Sequence, residues 1–208
     1  MACIGILGGT FNPIHLGHLL IGRAAAEAFG LDRVLLLPCC VSPFKIGAAD
    51  LAPDADRLAM VRLSIQGDPL FQVSTLDLDR GGVSYTIDTV RALRAQYPND
   101  RFAFIIGMDT LCGLSHWHQA DALLKLCEVI TVERPGMDVR ELPGEALSFP
   151  QEVRDRLLAN VIRGPLFDVS ASEIRRRIAE GKTIRYLVWH EVEAYIRTRG
   201  LYRTVKEM

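Results

Sequence analysis

Residues 3 to 29 constrain this chain more than any other stretch. A short apolar run, Cys3 to Leu7, leads into Gly8-Gly9-Thr10-Phe11-Asn12-Pro13-Ile14-His15-Leu16-Gly17-His18, and an apolar-periodic segment, Leu16 to Phe29, follows. The run has the length of a buried strand, the glycines make a turn, and the periodic segment predicts a helix with two histidines in its first turn. A glycine turn feeding a helix N-terminus suits phosphate, because backbone N–H groups and the positive end of the helix dipole point at one spot. His15 and His18, three residues apart, share one face of that turn and add donors to the same anion.

The rest of the chain continues the alternation. Strand-like runs fall at Cys3–Leu7, Val34–Leu37, Phe71–Ser74, Phe102–Ile106, Val129–Val132 and Phe167–Val169. The clearer helical patterns between them are Leu16–Phe29, Asp54–Ile65, Thr86–Tyr97 and Ala120–Leu126. Ser84 or Asp88 is a candidate cap for the third of these, and Pro98 stops it. Ser170 and Glu173 have capping-box spacing at the start of another helix. Val188 to Met208 reads as a helix followed by a polar tail, and the proline- and glycine-bearing 133–150 stretch as a surface connection. Alternating elements predict an α/β fold: a doubly wound, mostly parallel sheet with helices on both faces and a small C-terminal helical extension, 170–208, in a single domain over 1–208. Ligands bind such sheets at the C-terminal strand ends, where Gly8–His18, Gly107–Asp109 and Ser170–Arg175 all fall.

Composition removes several classes of function. With 24 Lys+Arg against 25 Asp+Glu the net charge is −1, without the basic excess expected for a nucleic-acid or membrane-surface partner. No apolar run approaches the ~18 residues of a membrane span, and glycines interrupt the apolar start, so no secretory leader is expected. The five cysteines, Cys3, Cys39, Cys40, Cys112 and Cys127, are odd in number and scattered. That argues against a disulfide framework or a zinc site and for a cytoplasmic protein. A homo-oligomer is compatible with all of this.

Two further stretches carry chemistry. In Asp168-Val169-Ser170-Ala171-Ser172-Glu173-Ile174-Arg175-Arg176-Arg177, hydroxyls and N–H groups at a helix start, with an arginine one turn in, make a second anion cradle. In Phe104-Ile105-Ile106-Gly107-Met108-Asp109, a strand ends in a glycine that admits a ligand close to the backbone, and the aspartate can accept from ribose hydroxyls. Two phosphate cradles at strand ends suit a triphosphate gripped along its length and attacked in line at its α-phosphorus, with positioning and charge stabilisation as the means of catalysis. A phosphate nucleophile, largely dianionic above its second pKa of ~6, needs no general base.

The eleven residues Gly8 to His18 resemble the signature of the nicotinate-nucleotide adenylyltransferase family, within the nucleotidyltransferases that carry a His-x-Gly-His motif. The resemblance runs from Ile4 to Tyr202. It implies a Rossmann-like fold and transfer of AMP from ATP to nicotinate mononucleotide, giving nicotinate adenine dinucleotide and pyrophosphate in NAD biosynthesis. It further implies that His18 and His15 act on the phosphates with Arg175. Gly8, Gly9, Thr10, Phe11, Gly107, Asp109, Ser170 and Ser172 would bind ATP, with Mg²⁺ held mainly through the ATP phosphates. Ser84-Tyr85-Thr86 and Trp117 match the family's pyridine-ring segment. Lys45, Cys40 and Arg134 sit where relatives meet the mononucleotide. The pattern departs at Cys39-Cys40, where relatives often carry two asparagines, and at Ser42 and Phe44, where they carry proline and histidine. No protein metal ligand is expected, and His116 and His118, two apart, are read as non-ligands.

Other acceptors stay open: nicotinamide mononucleotide, phosphopantetheine, or a phosphorylated alcohol with CTP. A binding-only nucleotide sensor is the alternative of another class. A dehydrogenase is disfavoured, since Gly5-x-x-Gly8-Gly9 lacks Gly-x-Gly-x-x-Gly spacing.

Overall fold

Six apolar runs pair into one parallel sheet in the computed structural model, which describes residues 1–47, 50–133, 147–165 and 167–203. The strands are β1 (Cys3–Gly9), β2 (Arg33–Pro38), β3 (Phe71–Val73), β4 (Arg101–Gly107), β5 (Glu128–Val132) and β6 (Val161–Ile162). Their order is β3-β2-β1-β4-β5-β6, with every neighbouring pair parallel. The sheet therefore grows outward in both directions from β1 and β4. In a doubly wound sheet that reversal opens a crevice beyond the strand ends.

The helices are α1 (Leu16–Phe29), α2 (Asp54–Ser64), α3 (Leu76–Arg80), α4 (Thr86–Gln96), α5 (Met108–Leu111), α6 (Ala120–Leu126), α7 (Gln151–Ala159), α8 (Ala171–Ala179) and α9 (His190–Arg199). Successive strand side chains point to opposite faces, and both faces are covered. Ile4, Ile6, Leu35, Leu37, Phe102 and Phe104 form one core with Ile87, Val90 and Leu93 of α4 and Leu123 of α6. Leu7, Val34, Leu36, Ala103 and Ile105 form the other with Ala25 and Ala26 of α1, Met60 and Val61 of α2, Ile174 of α8 and Ile196 of α9. Gly22 lets α1 lie close to the sheet: a Cβ there would meet the Phe71 ring at 2.7 Å. Helix α9 is tied to α2 through Asp56, which accepts from Tyr195 Oη at 2.7 Å and Arg199 Nε at 3.1 Å.

Three expectations need correction. The sixth strand is Val161–Ile162, beside β5, and Phe167–Val169 is irregular. Val169 turns back to donate to the Phe167 carbonyl at 3.2 Å and packs, half-buried, against the α1-side core, so it gains burial without ladder bonds. Helix α4 begins at Thr86 with Tyr85 as its N-cap, and no side chain caps it. Ser84 instead accepts from the Cys40 N–H at 3.1 Å, and Asp88 lies inside the helix. At α8, Ser170 does cap, accepting from the Glu173 N–H at 3.1 Å, but Glu173 turns its carboxylate to Arg176, at 2.8 Å to each oxygen. An ion pair to a nearby guanidinium outcompetes the return bond to a backbone N–H. The helix α7 was not expected; it is short and mostly exposed, with Leu157 its buried residue.

Candidate functional site

Strand β1 ends at Gly9, and residues 10–15 carry the chain over its end into α1. Phe11 takes a left-handed backbone (φ 49°), unusual for a bulky side chain. It is buried, with its ring edge-on to His18 at 5.0 Å. His15 is the extended N-cap of α1 (φ −142°, ψ 168°), and its ring lies 3.7 Å from that of His18. The His15 backbone N–H donates to Nδ1 of His18 at 3.2 Å. A backbone N–H only donates, so Nδ1 is the bare nitrogen and a neutral His18 ring carries its proton on Nε2. His15 is 5 % exposed and stands behind; His18 reaches the open crevice.

That crevice is a cavity of about 350 Å³ at the carboxyl ends of β1 and β4. Of the residues expected from sequence, Gly8, Gly9, Thr10, His18, Lys45, Thr86, Gly107, Asp109 and Trp117 line it. In this lining Trp117 stands edge-on to Phe104 at 5.7 Å and 6.3 Å from the exposed Phe44. Asp77, also in the lining, accepts from Thr89 at 2.6 Å and Arg80 at 2.8 Å. Burial pushes its carboxyl above the usual range, with the Thr89 and Arg80 contacts opposing. Cys39, and not Cys40, is the cysteine on the wall. Its thiol lies 3.7 Å from the Thr10 hydroxyl, and burial raises its pKa.

The other expected residues stand apart from this lining. Cys40 is half-buried, its N–H held by Ser84. Tyr85 packs against His118 at 4.5 Å. Arg175 donates to the Asn12 carbonyl at 2.8 Å and pairs with Asp50 at 2.5 Å, which brings the α8 motif onto the loop after β1. Ser172 lies 3.5 Å from Arg175 Nη2, and Ser170 caps the same helix. Arg175 borders a second hollow of about 440 Å³ with Asp50, Tyr202 and Arg203. Arg134 lies outside the described residues. Among the described residues no cluster of three His, Cys, Asp or Glu side chains could hold a metal ion, and no helix is long and apolar enough to cross a membrane.

Two organising residues escaped the sequence reading. Asn12 accepts from the Ala52 N–H at 3.0 Å and the Tyr202 hydroxyl at 2.8 Å, and donates to the Asp50 carbonyl at 2.9 Å. Arg57 is fully buried among backbone carbonyls at the ends of β1 and β2. The one available signal was periodicity: Arg57 shares the buried face of α2 with Met60, Val61 and Ser64.

Known proteins resemble this chain over nearly its whole length. The Cytidylyltransferase-like family model matches residues 6–177. The probable nicotinate-nucleotide adenylyltransferase of Thermomicrobium roseum is 43% identical over 208 residues, covering 100% of this chain and 95% of the relative. The protein of the same name from a Roseiflexus species is 43% identical over 202 residues, covering 97% and 98%. Among solved structures, the Plasmodium falciparum nicotinic acid mononucleotide adenylyltransferase complexed with APC superposes with a TM-score of 0.76 at 18% identity, covering 97% of this chain and 98% of that one. Its complex with NaAD gives 0.74 at 19% identity, with the same coverage. At that identity the likeness is one of fold.

Proposed function

The chain belongs to the nicotinate-nucleotide adenylyltransferases of the Cytidylyltransferase-like family, and from that premise we propose that it joins ATP and nicotinate mononucleotide to give nicotinate adenine dinucleotide and pyrophosphate. The observation that carries the reading is the crevice between β1 and β4, where His18, the glycines of β1, Gly107, Asp109, Lys45 and Trp117 surround one cavity. A strand-end glycine cradle suits a triphosphate, an aspartate beside a glycine suits a ribose, and a broad indole suits an electron-poor ring.

The reaction is in-line attack of the mononucleotide phosphate oxygen on the α-phosphorus of ATP, with pyrophosphate leaving and no covalent enzyme intermediate. His18 donates Nε2–H to an α-phosphoryl oxygen, where negative charge concentrates in the transition state. Its orientation is set by the bond from the His15 N–H and by the Phe11 ring. His15 supports that ring from behind. Arg175, with Ser170 and Ser172, receives the leaving pyrophosphate, and Asp109 takes the ribose hydroxyls. Lys45 holds the acceptor phosphate; the N–H groups of Cys39, Cys40 and Val41 already donate to Gly9, Ser84 and Gly82. Tyr85, Thr86 and Trp117 take the pyridine end, with Arg134 assigned there by the resemblance.

The carboxylates on the cavity wall are Asp77, engaged by Thr89 and Arg80, and Asp109. This donor set fits Mg²⁺ carried on the triphosphate with most of its own waters. The bound ion would neutralise charge on the β- and γ-phosphates. Five free thiols suit the reducing cytoplasm proposed for the chain.

The test is pyrophosphate release from purified protein with ATP and Mg²⁺, with nicotinate and nicotinamide mononucleotides in parallel. Preference for the acid supports the reading, and comparable rates make the enzyme dual-specific. Silence with both, under conditions where ATP binds, overturns it in favour of a nucleotide sensor.

A further inference from the structure

Arg57 has 0 % exposure and leads the fully buried side chains in size. Its guanidinium gathers acceptors from separate parts of the chain. Nη1 donates to the Thr10 carbonyl at 2.6 Å, beyond β1. Nη2 donates to the carbonyls of Cys39 at 2.7 Å and Cys40 at 3.3 Å, beyond β2, and to Asp54 at 2.5 Å. Nε donates to the Ala52 carbonyl at 3.2 Å. Thr10 and Cys39 are themselves cavity wall.

A buried charge is a poor device for stability alone. Apolar residues of similar volume stabilise at least as well, and the same face of α2 supplies them at Met60 and Val61. What a guanidinium adds is a fixed planar fork that holds several acceptors at set angles. In a trans peptide the carbonyl and the N–H of one unit point in opposite directions. Drawing the Thr10 carbonyl onto Arg57 therefore aims the Phe11 N–H the other way and keeps a carbonyl dipole from facing the phosphates. The same fork ties the residues after β2 to the loop after β1, where the Thr10 hydroxyl and the Cys39 thiol lie 3.7 Å apart, and so fixes that wall of the crevice.

We propose that Arg57 is a positioning residue for adenylyl transfer: its fork holds the Thr10 and Cys39–Cys40 carbonyls in the spacing that phosphate binding and in-line attack require. The proposal rests on the reaction assigned above. Lysine in its place keeps the charge, but its single nitrogen cannot span acceptors from all these segments.

The experiment compares wild type with Arg57→Lys and Arg57→Ala. Thermal unfolding and near-ultraviolet circular dichroism establish the folded fraction, calorimetry gives affinity for Mg·ATP, and pyrophosphate release gives kcat and KM. Folded Arg57→Lys should lose roughly 10–100-fold in kcat, as misplaced reacting groups do. Millimolar guanidinium or methylguanidinium should restore part of the kcat of Arg57→Ala and leave wild type unchanged. Should Arg57→Ala fail to fold, the lysine variant alone decides. Arg57→Lys with wild-type kcat and KM per folded molecule, whatever its melting temperature, makes the role merely structural and overturns the proposal. A wild type that binds ATP without releasing pyrophosphate defeats the reaction instead. The role in in-line attack then falls with it, and the part of the proposal that concerns phosphate binding holds if Arg57→Lys weakens ATP binding and falls if it does not.

Discussion

Replacing His18 by asparagine separates its structural contribution from its chemical one. The asparagine side-chain oxygen reaches about where Nδ1 sits, so it keeps the acceptor for the His15 N–H, now bonded at 3.2 Å. What folding loses is the ring's contact with Phe11 at 5.0 Å and His15 at 3.7 Å, worth about 1 kcal/mol for aromatic pairs of this kind. The transition state loses more. Removing one donor aimed at a developing phosphoryl charge costs about 3 kcal/mol, or on the order of 100-fold in kcat. Glutamine does the reverse: its amide N–H approaches the Nε2 position, while the bond from His15 is lost, at about 1 kcal/mol of stability. Glutamine should therefore turn over faster than asparagine and melt lower. Pyrophosphate release at saturating Mg·ATP and mononucleotide, read beside thermal unfolding, gives both numbers. An asparagine variant within ~5-fold of wild-type kcat, or a glutamine variant that is the slower of the two, would refute the assignment of Nε2–H as the donor.

Other perturbations follow from named contacts. Arg175 is engaged by Asp50, which is 61% exposed, so a leaving pyrophosphate competes with that carboxylate. Asp50→Asn should lower KM for ATP by about 2–5-fold, the scale of an exposed ion pair, and an unchanged or raised KM in initial-rate assays counts against the role of Arg175. Burial pushes the Cys127 thiol up to about 12 from an ordinary 9.0. The unfolded chain thus loses this proton first as pH rises, so the contribution is intact below 9 and declines toward 12. Over that window stability should fall by about 1.4 kcal/mol per pH unit on account of Cys127. Urea unfolding of Cys127→Ala across the same range should show a slope shallower by that amount, and an identical slope refutes the argument.

Much of the fold was legible because its elements are encoded locally. Apolar runs short enough for strands alternate with helical periodicity, and observed boundaries lie within a few residues of the expected ones for β1 to β5, α1, α2, α4 and α6. The failures have local causes too. Phe167–Val169 has a strand's composition, yet nothing in three residues says whether they meet a ladder or a core. Ser84 reads as a helix cap by type, but the chain it serves is Cys40, 44 residues away.

For the site, sequence alone determined which groups could meet a triphosphate: a glycine turn, two histidines on one helical turn, a glycine–aspartate pair at a strand end, an arginine one turn into a serine-capped helix. These motifs are legible because each is a spacing within one turn or one strand end. Tertiary structure alone decided their arrangement. It set His18 at the crevice and His15 behind it, and put Cys39 rather than Cys40 on the wall. It brought Arg175 to the Asn12 carbonyl across 163 residues of sequence, and buried Arg57 among carbonyls from separate segments. Such contacts depend on strand order and on which helix covers which face. A short-range pattern does not encode either, because each follows from how all the apolar faces find cover at once.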